Sequence, residues 1–188
     1  MSILCLRTNV HPWRARTLTH LDSVLVASGA RLLDFCWTGY EYISDGLHFT
    51  SDAQHDFSHD MAACLAAHFP RGATSLYVVT DSTVDHAPRG HVMLESALRR
   101  LLPRSVAVGV DAVCGSGFVR MADVGLDFGS RIRQAIRRGV ICADTVVVII
   151  GGWNDVEEDQ DRLYGTVSRL LRHVRRHFEV GERHSKLE

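Results

Sequence analysis

The sequence predicts a three-layer α/β/α sandwich with a mainly parallel central sheet. Three continuous apolar runs rich in β-branched residues, SLYVVT (75–80), SVAVGV (105–110) and TVVVII (145–150), are separated by stretches with helical periodicity. Strands that are apolar on both faces are typical of a parallel sheet covered by helices on both sides. The length of 188 residues suits one domain. We predict a single domain over residues 1–180 and a flexible tail over 181–188.

The first third of the chain predicts two strands, each followed by a helix. The apolar run at 2–6 predicts one strand, and RLLDF at 31–35 predicts the other. Leucines and valines at helical spacing predict a helix over 14–27, which Gly29 ends. A second helix is expected to begin near Thr50 or Ser51, before residues with an apolar face. Those inward-facing residues are Ala53, Phe57, Met61, Cys64 and Leu65.

The remaining two thirds of the chain alternate strand and helix. Each of the three apolar runs named above is followed by a helical stretch, near 92–102, 126–138 and 157–178. The last of these helices has one apolar face, expected to point inward. Its members are Leu163, Val167, Leu170, Leu171 and Val174.

Composition and charge exclude several classes of protein. Apolar residues make up 46% and charged residues 23%, as in ordinary soluble domains. The formal charge of −1 argues against non-specific nucleic-acid binding, which needs a basic surface. No uninterrupted apolar run approaches the roughly 20 residues of a membrane-spanning helix. The N-terminus lacks the pattern of a signal peptide, which favours a cytoplasmic location.

The cysteines point to the same compartment. Five are present, an odd number without a CxxC pair. Because each lies in an apolar stretch, we expect buried free thiols in a reducing environment. They are Cys5, Cys36, Cys64, Cys114 and Cys142.

Residues suited to chemistry follow four of the predicted strands. In an open parallel sheet, functional groups collect beyond the carboxyl ends of the strands. At those positions the sequence has DS (81–82), CGSG (114–117), GGWND (151–155) and, one loop beyond RLLDF, DGLH (45–48). A serine hydroxyl becomes nucleophilic when an imidazole takes its proton, and a carboxylate orients that imidazole. Glycine-turn N–H groups and an asparagine amide can stabilise the oxyanion that forms.

The blocks YVVTDS, CGSG, GGWND and DGLH resemble the four motif blocks of the SGNH (GDSL-like) hydrolase superfamily. The resemblance implies a flavodoxin-like central sheet and a triad of Ser82, His48 and Asp45. It also implies an oxyanion hole built from the N–H groups of Ser82 and Gly115 and the side-chain amide of Asn154. No metal and no organic cofactor is needed for this chemistry.

The order of the blocks differs from the usual order of the family, in which Asp-x-x-His comes last. Here that block comes first, while the cyclic order is retained. Circular permutation explains this arrangement, with residues 1–70 as the customary C-terminal third moved to the front. The permutation predicts that residues near Ser2 and Phe178 lie close together in space.

Four positions leave alternatives open. Thr80 stands where the family has glycine, and this change can tighten the turn or alter access to Ser82. Either Gly115 or Gly117 can present the second oxyanion N–H, and we prefer Gly115. Trp153 and Gly117 are also candidates for the lining of the substrate pocket.

The predicted function is that of a serine esterase acting on a carboxylic ester of the short-acyl or O-acetyl type. The substrate is expected to be a small-molecule or carbohydrate ester, and the sequence leaves the oligomeric state open. One alternative is an acyltransferase that uses the same site. Another is a non-catalytic binding module with this fold. A flavodoxin-like nucleotide binder is more distant, because TDSTVDHAPRG has little glycine to cradle a phosphate.

Overall fold

A computed structural model describes residues 2–6, 15–36, 38–46, 48–85, 89–121, 125–155 and 158–184. Within these ranges five strands form one parallel sheet in the order β2-β1-β5-β3-β4. This confirms the predicted α/β class. The strands are β1 (Ser2–Leu6), β2 (Arg31–Leu33), β3 (Ser75–Thr80), β4 (Ala107–Ala112) and β5 (Thr145–Ile150).

Helices cover both faces of the sheet and complete the three layers. One core cluster joins the sheet to α2 and α4, and a second joins it to α1, α5 and α6. A short 3₁₀ turn, Trp153–Asp155, follows β5. The helices are α1 (Ala15–Ala27), α2 (Ser51–Ala67), α3 (Ser82–Asp85), α4 (Gly90–Leu101), α5 (Phe128–Arg137) and α6 (Gln160–His184).

The strands are continuously apolar because successive side chains enter different layers. In β3, Val78 packs in the core on the α2/α4 side, whereas Val79 packs in the core on the other side. In β5, Val148 and Val147 alternate in the same way. All four side chains are almost completely buried. A strand with both faces covered has no position at which a polar residue would be solvated, which explains the runs seen in the sequence.

Several element boundaries differ from the predicted ones because of local turns. β4 begins two residues later than predicted, since the Val106 N–H donates to the Pro103 carbonyl and closes a turn (2.9 Å). β2 spans three residues rather than five. α6 begins after Asp159, whose carboxylate accepts the Arg162 N–H (2.8 Å). It continues to His184 through the first four residues of the expected tail, and 185–188 lie outside the described residues.

The expectation of five buried thiols is wrong for three of the cysteines. Cys5 is buried in β1 and Cys64 is half-buried, but Cys36, Cys114 and Cys142 are exposed. The exposed three lie in loops and turns after β2, β4 and α5 rather than inside strands or helices. All five are free.

No helix in the described part of the chain combines the length and the apolar character needed to cross a membrane.

The start of β1 and the Arg175–Phe178 part of α6 lie close together. Ser2 and Arg175 line the same cavity of about 200 Å³. Arg175 also donates from Nη2 to the Gly29 carbonyl (2.8 Å), and Phe178 packs in the same core cluster as Ile3. This is the proximity that the permuted order of the blocks predicts.

A buried arginine of α5 joins the carboxyl ends of β3 and β4. Arg131 donates from Nη1 to the Thr80 carbonyl (2.9 Å) and to Ser116 Oγ (2.8 Å). Its Nη2 lies 2.9 Å from Asp111 Oδ1 and also donates to the Asp111 carbonyl. Tyr77 donates its hydroxyl to Asp111 Oδ2 (2.6 Å). The buried guanidinium group of Arg131 therefore has both hydrogen-bond acceptors and a carboxylate partner. Without them its burial would be energetically costly.

We expect Arg131→Gln to lower the free energy of unfolding by about 3 kcal/mol, measured by urea denaturation. This is the lower end of the range for breaking a buried ion pair, because the Asp111 side chain is 32% exposed. Arg137→Gln, an exposed change in the same helix, is the control and should stay within about 0.5 kcal/mol of the wild type. Equal effects of the two substitutions would show that Arg131 is not a structural link.

Candidate active site

Ser82 lies at the first residue of α3, two residues beyond the end of β3. The intervening Asp81 fixes this turn, because its Oδ1 accepts the Thr83 N–H (2.9 Å) and the Thr83 hydroxyl (2.5 Å). The Val84 N–H also donates to the Asp81 carbonyl (3.2 Å). The Ser82 side chain is thus presented at the carboxyl end of the sheet by a turn that hydrogen bonds hold in place.

The loop that carries Asp45 and His48 is closed at its base. Tyr42 and Phe49 form an isolated antiparallel bridge, and the Ile43 N–H donates to the His48 carbonyl (2.9 Å). Just beyond it, Thr50 caps α2 by accepting the Ala53 N–H (3.3 Å). The loop is therefore closed on itself by the bridge, and the cap fixes its junction with α2.

Of the three residues predicted as a triad, His48 lies within hydrogen-bond distance of both Asp45 and Ser82. His48 Nδ1 is 2.6 Å from Asp45 Oδ2, and His48 Nε2 is 3.0 Å from Ser82 Oγ. The backbone N–H of His48 donates to the other carboxylate oxygen, Asp45 Oδ1 (3.0 Å). With the ring proton on Nδ1, the imidazole donates to Asp45 and accepts the Ser82 hydroxyl proton. This is the arrangement that activates a serine.

Asp81 is a buried carboxylate directly before Ser82. Burial raises its pKa, and hydrogen bonds from Thr83 and from the Gly152 backbone oppose that rise. Gly151 is required beside it, because a Cβ there would lie 2.6 Å from Asp81 Oδ2, and its φ of +139° disfavours other residues. The glycine pair after β5 thus allows the chain to pass close to this carboxylate.

Asn154 links the ends of three strands. Its Nδ2 donates to the Ser116 carbonyl (2.8 Å) beyond β4 and to Asp81 Oδ2 (3.3 Å) beyond β3. The sequence predicted an oxyanion donor here, and in this structure the amide hydrogens point to protein acceptors. The contact to Asp81 is the longer of the two.

The two glycines after β4 have different surroundings. The Gly117 N–H donates to the Arg120 carbonyl (2.9 Å), and a Cβ on Gly117 would lie 2.5 Å from the Asp155 carboxylate. Gly115 is half-buried, has a φ of +75°, and its N–H donates to no carbonyl in the described part of the chain. The geometry therefore favours Gly115 over Gly117 as a donor. The side chain of Trp153, the other predicted pocket residue, lies outside the described residues.

The Thr80 side chain lies inside the protein and not on the solvent-exposed side of Ser82. It is completely buried, and by strand alternation it shares the α2/α4 face with Val78. Among the residues that the structure describes, its hydroxyl oxygen has no hydrogen-bond partner. The Thr80 side chain therefore affects the packing on the α2/α4 face of the sheet.

Asp155 is a structural residue of the site that the sequence reasoning missed. It is completely buried, and its carboxylate accepts the N–H groups of Phe118 (2.6 Å), Val119 (2.9 Å) and Arg120 (2.9 Å). Burial raises its pKa, while these three hydrogen bonds act in the opposite direction. Its position directly after Asn154 was the available signal. It holds the loop after β4 against the loop after β5.

Metal ligation and comparison with known proteins add no further assignment. Across the described ranges, no three His, Cys, Asp or Glu side chains are grouped in a way that could hold a metal ion. No protein-family model, no curated protein and no solved structure matches this chain.

We expect Asp155→Ala to release the loop at residues 118–120. Three charge-assisted hydrogen bonds are lost, so the amides of Phe118, Val119 and Arg120 should exchange with solvent at least about tenfold faster. Hydrogen exchange followed by NMR measures this. Asp159→Ala, which removes an exposed cap of α6, is the control and should leave these amides unchanged. Unchanged protection in Asp155→Ala would contradict the assigned role.

Proposed function

We propose that this protein is a serine esterase that hydrolyses a carboxylic ester by two-step acyl transfer. The observation that carries the proposal is the position of His48 between Asp45 (2.6 Å) and Ser82 (3.0 Å). These residues come from two loops, 34 positions apart at His48 and Ser82, and their contacts match the roles of base, orienter and nucleophile. The resemblance of the four motif blocks to SGNH hydrolases supports the same assignment.

In the first step, His48 Nε2 takes the proton of the Ser82 hydroxyl as Oγ attacks the ester carbonyl carbon. The imidazolium that forms is stabilised by the Asp45 carboxylate at Nδ1. His48 then gives the proton to the leaving alkoxide as the carbon–oxygen bond of the ester breaks. The products of this step are a free alcohol and an acyl group on Ser82.

The oxyanion of the tetrahedral intermediate needs donors beside Ser82. We assign this role to the N–H groups of Ser82 and Gly115 and to the Asn154 amide. Neither N–H donates to a carbonyl in the part of the chain that the structure describes, so both are available. The Asn154 amide joins them by exchanging its 3.3 Å contact with Asp81 for the oxyanion.

In the second step, water replaces the alcohol. His48 accepts a proton from that water, whose oxygen attacks the acyl carbon, and the proton then passes to Ser82 Oγ as the acid leaves. The cycle therefore ends with the residues in their starting protonation states. The proposed substrates are short-acyl or O-acetyl esters of small molecules or carbohydrates, as the family resemblance implies.

We also propose that the fold is a circular permutation of the SGNH arrangement. The cyclic order of the four blocks supports it, and so does the cavity shared by Ser2 and Arg175. Catalysis is indifferent to this change, because a triad depends on geometry and not on chain order.

We expect Ser82→Ala to lower kcat on 4-nitrophenyl acetate by at least about 10⁴-fold, since the covalent intermediate can no longer form. A fluorophosphonate should add to Ser82 in the wild type and not in this variant, as intact-mass and peptide mass spectrometry would show. Ser105→Ala is the matched control, because Ser105 is exposed in the turn before β4, and it should retain full activity.

The same experiment separates the alternatives. Turnover that survives in Ser82→Ala would contradict the proposed nucleophile. No turnover and no adduct in the wild type would contradict the esterase and leave a non-catalytic binding module. An added alcohol that is converted to a new ester, at constant acyl-enzyme formation, would identify an acyltransferase.

We expect Asn154→Ala to lower kcat by about 10²–10³-fold with little change in KM, because an oxyanion donor acts mainly in the transition state. Steady-state kinetics on the same ester measures this split. Urea unfolding of the variant provides the control for lost contacts to Ser116 and Asp81. A rise in KM with kcat unchanged would contradict the role as an oxyanion donor.

A further inference from the structure

A groove with a volume of about 560 Å³ lies between α5 and α6, and no residue of the triad lines it. Arg133 of α5 contributes to it, together with Arg162, Arg169 and His173 of α6. Buried apolar residues, among them Leu170, complete the lining. Three guanidinium groups are thus concentrated around one concave surface in a chain whose formal charge is −1.

Among the described residues, the three arginines of the groove have only weak acidic partners. Arg169 donates from Nη2 to the Thr166 hydroxyl (3.0 Å), which carries no charge. Arg162 Nη1 is 3.4 Å from Glu158 Oε2, a loose pair on an exposed side chain. Exposed ion pairs between helix residues i and i+4 have only a small interaction free energy. A ligand with negative charge would therefore meet guanidinium groups that can still donate hydrogen bonds to it and attract it electrostatically.

Arg133 shares its surroundings with the carboxylate that lines the groove. It donates from Nη2 to the Ser130 hydroxyl (3.1 Å) and lies 4.0 Å from Asp127 Oδ1. That oxygen already accepts the Ser130 N–H (2.5 Å) as the N-cap of α5. With Asp127 counted against the three arginines, the lining keeps an excess of positive charge when His173 is neutral.

We propose that this groove binds a small ligand carrying phosphate groups. The guanidinium fork matches the oxygens of a phosphate and can donate two hydrogen bonds at once. The volume is in the range of small-molecule sites rather than of an extended protein contact. The groove is separate from the Asp45, His48 and Ser82 site. The proposal that it binds phosphate therefore does not depend on the proposed ester hydrolysis.

The test is calorimetric titration of the full chain with inorganic pyrophosphate. Ser82→Ala protein should bind as the wild type does, which keeps this question apart from catalysis. Arg169→Gln and Arg133→Gln should each weaken binding by about tenfold or more, as the loss of a charge-assisted hydrogen bond predicts. Raising the salt concentration should also weaken binding.

The matched control is Arg172→Gln. Arg172 is an exposed arginine of the same helix whose Nε donates to the Ser168 carbonyl (3.1 Å), and it does not line the groove. It should retain the wild-type affinity. An equal loss in Arg172→Gln would overturn the proposal, because it would reduce the effect to the general charge of α6.

Two further arms distinguish the sources of phosphate. Competition between ADP and pyrophosphate would support a soluble phosphate ester as the ligand. Sedimentation with phosphatidylcholine vesicles that contain phosphatidic acid, lost in Arg169→Gln, would support a lipid headgroup in the same groove. Failure of the wild type to bind pyrophosphate, ADP and these vesicles would overturn the proposal.

Discussion

The position of the candidate site depends on one buried guanidinium group. Arg131 binds the Thr80 carbonyl at the end of β3 and Asp111 near the end of β4, so it fixes two neighbouring strands at the points where they leave the sheet. It also donates to the hydroxyl of Ser116, whose carbonyl accepts the Asn154 amide. The turn that carries Ser82 and the loop after β4 are thus both held by this one side chain. A long, planar, always-charged side chain can do this because it has five donors.

Two buried carboxylates near Arg131 each hold a different loop beyond the strands. Asp81 fixes the turn after β3, and Asp155 fixes the loop after β4 through three backbone N–H groups. Asn154 connects the two, because it contacts Asp81 and the Ser116 carbonyl. Backbone N–H groups in loops need partners when they are buried, and side-chain oxygens supply them here. Only the Asp45 and His48 loop is held differently, by a strand bridge and a helix cap.

The sequence was informative where a local pattern has one structural meaning. A continuously apolar strand would be unfavourable in a sheet with one face open to solvent. The parallel sheet and its covered faces were therefore predictable. The contacts of His48 with Asp45 and Ser82 were predictable because the residue types and their positions after strand ends suggested them as a set. Arg131 was not, because a single arginine on a helix gives no local sign of burial, which depends on Thr80 and Asp111 far along the chain. The exposed cysteines were missed for a related reason, since apolar neighbours in the chain do not decide which residues end in turns.

Thr80 carries a consequence for the evolutionary history of this fold. Its buried hydroxyl has no hydrogen-bond partner in the described ranges, so the native state bears a desolvation cost that an isosteric valine would not. Natural chains sit only slightly above the stability they need, and most new substitutions lower it. A lineage that lost this hydroxyl would gain a reserve of stability. Such a reserve would let the loops beyond the strands accumulate substitutions that the present chain tolerates less well.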